Sequence, residues 1–117
     1  MLTIDSYQAI QDLVAREKAV LLYFSFPSCA VCKSIQPKVV DLVEKNFPLM
    51  GMYYIDIEAV PEASGQLSVF TVPAVLVFFE GKEMVREARN FGIRELGAKM
   101  DRYYGMVFDG ATGPGEA

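Results

Sequence analysis

Two predicted elements meet in the stretch Phe24-Ser25-Phe26-Pro27-Ser28-Cys29-Ala30-Val31-Cys32-Lys33-Ser34-Ile35-Gln36-Pro37 (residues 24–37). The apolar run Ala19 to Phe26 leads into it and predicts a strand that is buried on both faces. Apolar residues then recur at helical spacing, which predicts a helix from about Cys29 to Asn46 with a kink at Pro37. The chain therefore delivers a Cys-x-x-Cys motif from a buried strand to the start of a helix.

This placement gives the two cysteines different chemistry. Cys29 is predicted at the helix N-terminus, where unpaired backbone N–H groups and the helix dipole favour its thiolate, so it is the candidate nucleophile. Cys32 follows one turn later, near enough to attack a mixed disulfide on Cys29, so it is the candidate buried, resolving thiol.

The rest of the chain alternates between helical and strand patterns. We predict helices over about 6–17, 61–67 and 93–104, and strands over 52–57, 74–79 and 82–88, the last two joined by a turn at Glu80-Gly81. This order predicts an α/β domain with a mixed central sheet of four to five strands and helices on both faces, spanning residues 1–108. Residues 109–117 have no apolar pattern and are predicted to form a disordered tail.

Composition and charge exclude several classes of partner. Apolar residues make up 52% of the 117-residue chain, and the net charge is −4. An acidic chain without a basic cluster is not expected to bind nucleic acid or an anionic membrane. No apolar run is long enough for a membrane span, and the N-terminus lacks the pattern of a signal peptide, so we expect a cytoplasmic protein. Because the chain has no histidine, a Cys-His nucleophile pair is excluded.

The chain resembles the thioredoxin family over roughly residues 3–104. Phe24 before the first cysteine, Lys33 directly after the second and Pro37 five residues beyond it fit the family pattern. The segment Leu67-Ser68-Val69-Phe70-Thr71-Val72-Pro73 is similar to the one that leads to the family's cis-proline, at the family's separation from Cys32. Further matches occur in the following strand and turn, at Phe78, Glu80 and Gly81.

The resemblance implies a thioredoxin fold and assigns roles to residues around the cysteines. It implies a cis bond between Val72 and Pro73, facing the cysteine pair. It also implies that Val72, Pro73, Phe70 and Pro27 contact the substrate, and an apolar ring of this kind would suit loop peptides or partly unfolded chains.

Three departures from the family pattern concern the chemistry. Ser28-Cys29-Ala30-Val31-Cys32 replaces the usual Trp-Cys-Gly-Pro-Cys, and intervening residues tune the redox potential. Tyr23 stands where the family has a buried aspartate, and Tyr54 stands at the position of its lysine partner. We expect both tyrosine rings in the core behind the active-site helix, where neither can serve as a base near neutral pH. The loop before the last helix is also slightly longer than usual, so that Asn90-Phe91 could take the place that Gly92 would otherwise hold.

The resemblance therefore implies a thiol–disulfide oxidoreductase that reduces protein disulfides with the Cys29–Cys32 pair, without a metal or an organic cofactor. Its partners would be disulfide-containing proteins and an external reductase or a low-molecular-weight thiol, and nothing in the sequence demands more than a monomer. Two alternatives stay open. The domain could be a binding or adaptor module with a vestigial or regulatory disulfide, or the cysteines of two chains could bridge a metal ion.

Overall fold

The computed structural model describes residues 1–108, and the predicted tail, 109–117, lies outside the described residues. Its strands are β1 (Leu2–Thr3), β2 (Ala19–Ser25), β3 (Gly51–Asp56), β4 (Ala74–Phe79) and β5 (Lys82–Ala88). They form one mixed sheet in the order β1-β3-β2-β4-β5. Strands β1, β3 and β2 are parallel to one another, whereas β4 is antiparallel to both β2 and β5.

The helices form a layer on each face of the sheet. They are α1 (Tyr7–Arg16), α2 (Ala30–Asn46), α3 (Pro61–Leu67) and α4 (Ile93–Val107). Helix α1 begins after Ser6, whose hydroxyl accepts the backbone N–H of Ala9 at 3.1 Å. This N-cap satisfies one of the donors that a helix start leaves unpaired. Helices α2 and α4 cover one face, and α1 and α3 cover the other.

Strand β2 is the centre of the core, because all seven of its residues are buried. Successive side chains of a strand point to opposite faces of the sheet. Leu21 and Tyr23 accordingly pack under α2 and α4, whereas Leu22 and Phe24 pack under α1 and α3. The prediction of a strand buried on both faces is confirmed, and its C-terminal end delivers the chain to the cysteines.

The structure confirms the mixed sheet and departs from the sequence prediction at its edges. Strand β1 was not predicted, since two exposed residues cannot display a strand period; it forms because Leu2 and Thr3 pair with β3. Ile35 and Leu42, two of the apolar residues whose helical spacing predicts α2, lie only partly buried at the margin of the core. Within residues 1–108, no helix has the length and apolar character needed to cross a membrane.

Candidate active site

Cys29 and Cys32 form a disulfide at the start of α2. Cys29 is the N-cap residue and is partly exposed, whereas Cys32 is fully buried. The backbone N–H of Cys32 points at the Cys29 sulfur, at 3.2 Å. An N-cap acceptor at a helix start is the position where negative charge gains most from the free N–H groups and the dipole. The arrangement can therefore stabilise a thiolate on Cys29 once the disulfide is reduced.

The segment before β4 carries Val72 and Pro73, which the resemblance assigned to substrate contact. The Val72–Pro73 peptide bond is cis. Val72 is partly buried against the same cluster of apolar side chains that Cys29 joins, and Pro73 is buried. The carbonyl oxygen of Pro73 accepts the backbone N–H of Arg89 at 2.8 Å, which ties this segment to the loop that precedes α4.

Large apolar side chains are exposed on the segments around the disulfide. Phe70 is 78% exposed, and Val31, between the two cysteines, is 57% exposed. Pro27 is also exposed, whereas Phe91 is partly buried. An open cavity of about 670 Å³ is lined by Val31 and by residues of the loop before α4, including Asn90, Phe91 and Gly92. Glu87, Arg89, Glu95 and Lys99 also line this groove, so the site combines exposed apolar side chains with charged ones. An open groove of this mixed character suits a polypeptide segment.

Tyr23 lies beneath the second cysteine. Its ring is fully buried, and its hydroxyl donates a hydrogen bond to the Cys32 carbonyl oxygen at 2.6 Å. Burial raises the pKa of Tyr23 to about 12, and the neighbouring Tyr54 adds to the shift. The hydroxyl therefore keeps its proton throughout the neutral range, and it holds the backbone of Cys32 rather than accepting a proton from its thiol.

Tyr54 differs from Tyr23 in its exposure. The two rings lie side by side, with centroids 6.4 Å apart. Tyr54 packs against the core but stays partly exposed. It lines a cavity of about 250 Å³ together with Thr3, Pro27 and Lys33. The expectation of a ring in the core is thus met fully by Tyr23 and only in part by Tyr54.

A Tyr23→Phe variant should be less stable than the wild type near neutral pH and should lose this disadvantage at alkaline pH. Removing the hydroxyl forfeits its hydrogen bond, at a cost of about 1 kcal/mol. The raised pKa of Tyr23 means that the folded protein retains a proton between pH 10 and about 12 that the unfolded chain releases. This contribution to stability is complete below pH 10 and is lost as the pH rises through about 12.

Denaturant unfolding of the oxidised wild type and of Tyr23→Phe at several pH values from 8 to 12 would measure this difference. Oxidised protein is used so that no thiol titrates in the same range. A difference in the free energy of unfolding that stays constant up to pH 12 would contradict the assignment. Tyr53, whose pKa is also raised to about 12, by burial and by the hydroxyl's hydrogen bond to Glu17, provides a second test at a site away from the cysteines.

Two features of the site were not predicted from the sequence. Val31 was treated only as a spacer between the cysteines, although its place in the first turn of a helix leaves it open to solvent. Arg86, on β5, contacts the end of α3 through the carbonyl oxygens of Leu67 and Ser68. These partners are 18 and 19 residues away along the chain, so no local sequence pattern could indicate the contact.

Comparison with known proteins agrees with this geometry. A family model described as Thioredoxin matches residues 2–101. The thioredoxin-like protein YdfQ of Bacillus subtilis is 35% identical over 104 residues, which cover 89% of this chain and 92% of that protein. A thioredoxin of Chlamydia trachomatis is 29% identical over 74% of this chain and 82% of its own length.

Solved structures show the same fold. The thioredoxin of Plasmodium falciparum superposes with a TM-score of 0.79 at 16% identity, covering 88% of this chain and 99% of the other. The thioredoxin of Fasciola hepatica gives 0.78 at 22% identity, covering 87% of this chain and 98% of the other. Together with the disulfide at the start of α2, the family model and the relatives identify the activity as thiol–disulfide exchange. The chain belongs to the thioredoxin family and is a thiol–disulfide oxidoreductase.

Proposed function

We propose that this protein reduces disulfides in other polypeptides, with Cys29 as the nucleophile and Cys32 as the resolving thiol. The observation that carries the proposal is the difference between the two sulfurs. Cys29 is partly exposed at the N-cap of α2 with an N–H aimed at its sulfur, whereas Cys32 is fully buried. A substrate can reach only the first, and the helix start favours the thiolate there.

The reaction is two successive thiol–disulfide exchanges. The Cys29 thiolate attacks one sulfur of the substrate disulfide, and the other substrate sulfur leaves as a thiolate. Cys32 then loses its proton and attacks the Cys29 sulfur of the mixed disulfide, which releases the second substrate thiolate. Two electrons have passed to the substrate, and the Cys29–Cys32 pair is oxidised, as in the structure.

The segment before β4 would hold the substrate during this exchange. Proline has no backbone N–H, so Pro73 cannot donate a competing hydrogen bond next to the sulfurs. The backbone of Val72, which precedes β4, would pair in the manner of a strand with an extended peptide. Phe70 and Pro27 would supply apolar contacts on either side of that peptide, since both are exposed.

The proposal also covers the oligomeric state of the enzyme, its compartment and the source of its electrons. Residues 1–108 would act as a monomeric unit in the cytoplasm, where thiols are kept reduced. An external reductase or a low-molecular-weight thiol would return the Cys29–Cys32 disulfide to the dithiol, with no resident cofactor.

Reduction of insulin disulfides in the presence of dithiothreitol tests the proposal. We expect the wild-type protein to accelerate insulin precipitation above the rate with dithiothreitol alone. The matched control is the double variant Cys29→Ser/Cys32→Ser, which should give the rate of dithiothreitol alone. Because Cys29 and Cys32 are the chain's two cysteines, this control removes all of its thiol chemistry.

Two results would contradict the proposal. A wild-type rate equal to that of dithiothreitol alone would favour a binding or adaptor module whose disulfide does not turn over. A dimer that contains stoichiometric zinc or iron after purification without chelator would favour a metal site bridged by the cysteines of two chains.

A further inference from the structure

The loop from Ser68 to Val72 displays an aromatic ring between two fixed points. Ser68 closes α3 in the left-handed conformation, with φ 56° and ψ 46°, and the N–H of Val69 donates to the Ser64 carbonyl at 2.9 Å. The Val69 side chain is buried in the core, whereas the next residue, Phe70, is 78% exposed. The backbone before the ring is thus anchored although the ring itself contacts little of the protein.

Arg86 supplies a second anchor at the same place. Its guanidinium donates to the carbonyl oxygen of Leu67 at 2.7 Å and to that of Ser68 at 3.0 Å. The last carbonyl groups of a helix have no partner within it, and a cation near them is favoured by the helix dipole. Arg86 therefore fastens the end of α3 to the edge strand β5.

The guanidinium is itself held by Glu83. Arg86 Nε and one terminal nitrogen donate to the two carboxylate oxygens of Glu83, at 2.7 and 2.8 Å. This fork-to-fork geometry fixes the plane of the guanidinium as well as its position. Both side chains are only partly buried, so the ion pair adds little to global stability. Its consequence is local: it orients the donors that clamp the loop.

The other end of the loop is fixed by the residue that follows β5. The N–H of Arg89 donates to the Pro73 carbonyl oxygen at 2.8 Å, immediately before β4 begins. The exposed Phe70 thus lies between the Arg86 clamp and the Pro73 anchor. An apolar contact that is held in place before binding loses less conformational freedom when a partner covers it.

We propose that Arg86 is a positioning residue that holds the backbone carrying Phe70 on the loop before Pro73, so that the exposed ring selects substrates with an apolar side chain next to the target cysteine. The inference deepens the proposed function and rests on it, because it assumes that a polypeptide docks along the segment before Pro73. Arg86 touches no substrate itself and acts through the loop that carries Phe70.

Two disulfide peptides that differ only beside one cysteine, with leucine in one and serine in the other, test the inference. Single-turnover reduction by pre-reduced protein gives a maximal rate and a half-saturating peptide concentration for each. We compare the peptides by the maximal rate divided by the half-saturating concentration. The wild type should prefer the leucine peptide by about ten-fold in this ratio, because partial burial of an apolar side chain changes binding by roughly that factor. The preference should arise from the half-saturating concentration, because the reacting sulfurs are unchanged.

Phe70→Ala should remove most of this preference, and Arg86→Gln should do the same without changing the ring. Arg86→Lys keeps the charge but loses the fork, so it should resemble Arg86→Gln. The double variant Phe70→Ala/Arg86→Gln should be no worse than Phe70→Ala alone, since residues that act through one contact are not additive. Arg102→Gln, at an exposed arginine of α4, is the matched control and should keep the wild-type preference.

Amide hydrogen exchange provides a readout that is independent of turnover. The amides to follow are those of Ser68 and Val69, which donate to the carbonyl oxygens of Gly65 and Ser64. Faster exchange of these two amides in Arg86→Gln, with unchanged exchange in β2, would show that the clamp holds the loop. A preference that survives Phe70→Ala, or that survives Arg86→Gln, would overturn the inference. A wild-type enzyme that reduces both peptides equally would overturn the inference alone, whereas a wild type that reduces neither would overturn the proposed function with it.

Discussion

Replacing Cys29 with serine should abolish disulfide reduction, with a loss of about 1,000-fold or more, because the variant has no nucleophile that can reach a substrate. Cys32 cannot substitute for it, since its side chain, in the first turn of α2, is fully buried. Replacing Cys32 should also stop turnover, but at a later step. The variant Cys32→Ser retains the exposed thiol and should accumulate a mixed disulfide between Cys29 and the substrate.

Mass spectrometry of each variant after mixing with an oxidised substrate distinguishes these outcomes. Cys32→Ser should gain the mass of one substrate chain, and dithiothreitol should remove it, whereas Cys29→Ser should gain none. Limiting iodoacetamide on the reduced wild type should label Cys29 first, for the same reason of access and thiolate stabilisation. Adducts on Cys29→Ser, or earlier labelling of Cys32, would reverse the assignment of the two roles.

The central part of the fold is predictable because each element carries its own signal. The continuous apolar run of β2 indicates burial on both faces, and all seven residues of the strand are indeed buried. The helical spacing after Cys29 indicates α2, and the change from strand to helix at the motif locates the candidate site. Strand β1 has no such signal, since Leu2 and Thr3 become a strand only by pairing with β3.

The finer structure of the site depends on contacts between distant residues. The sequence suggests that a buried Tyr23 needs a hydrogen-bond partner, but only the packing of α2 on β2 identifies that partner as the Cys32 carbonyl. The same is true of Arg86, whose partners lie at the end of α3. Tyr54 is less buried than expected because it lines a cavity together with Thr3, Pro27 and Lys33, which no pattern within β3 reveals.

The rate at which Cys32 resolves the mixed disulfide should rise with pH above neutrality. A buried thiol needs an acceptor for its proton, and the side chain beneath the Cys32 turn is a tyrosine whose pKa is raised to about 12. The Tyr23 hydroxyl keeps its proton and donates a hydrogen bond to the Cys32 carbonyl oxygen, so it has no role as a base near neutral pH. Water or hydroxide should take the thiol proton, so the rate should climb with pH through the ordinary range of a thiol, about 8.5.

Tyr23→Asp should restore a buried acceptor and move that profile to lower pH. The matched control is Tyr23→Asn, which leaves a cavity of similar size and a polar group without an acid. Both variants should be less stable than the wild type by about 3–5 kcal/mol, because a large buried ring is lost and a polar group is buried in its place. A shift seen with aspartate and absent with asparagine therefore reports proton transfer rather than loosened packing.

Stopped-flow measurement of the resolving step between pH 6 and 10, on variants shown to be folded by circular dichroism, decides between the two explanations. A wild-type rate that is already flat at pH 7 would mean that Cys32 loses its proton without a carboxylate. Coincident profiles for aspartate and asparagine at position 23 would mean that the acceptor beneath the helix does not limit the reaction. If instead only the aspartate profile moves to lower pH, Tyr23 sets the pH range of this enzyme. The reason is that the side chain at this position donates a hydrogen bond to the Cys32 carbonyl oxygen and provides no proton acceptor for the thiol.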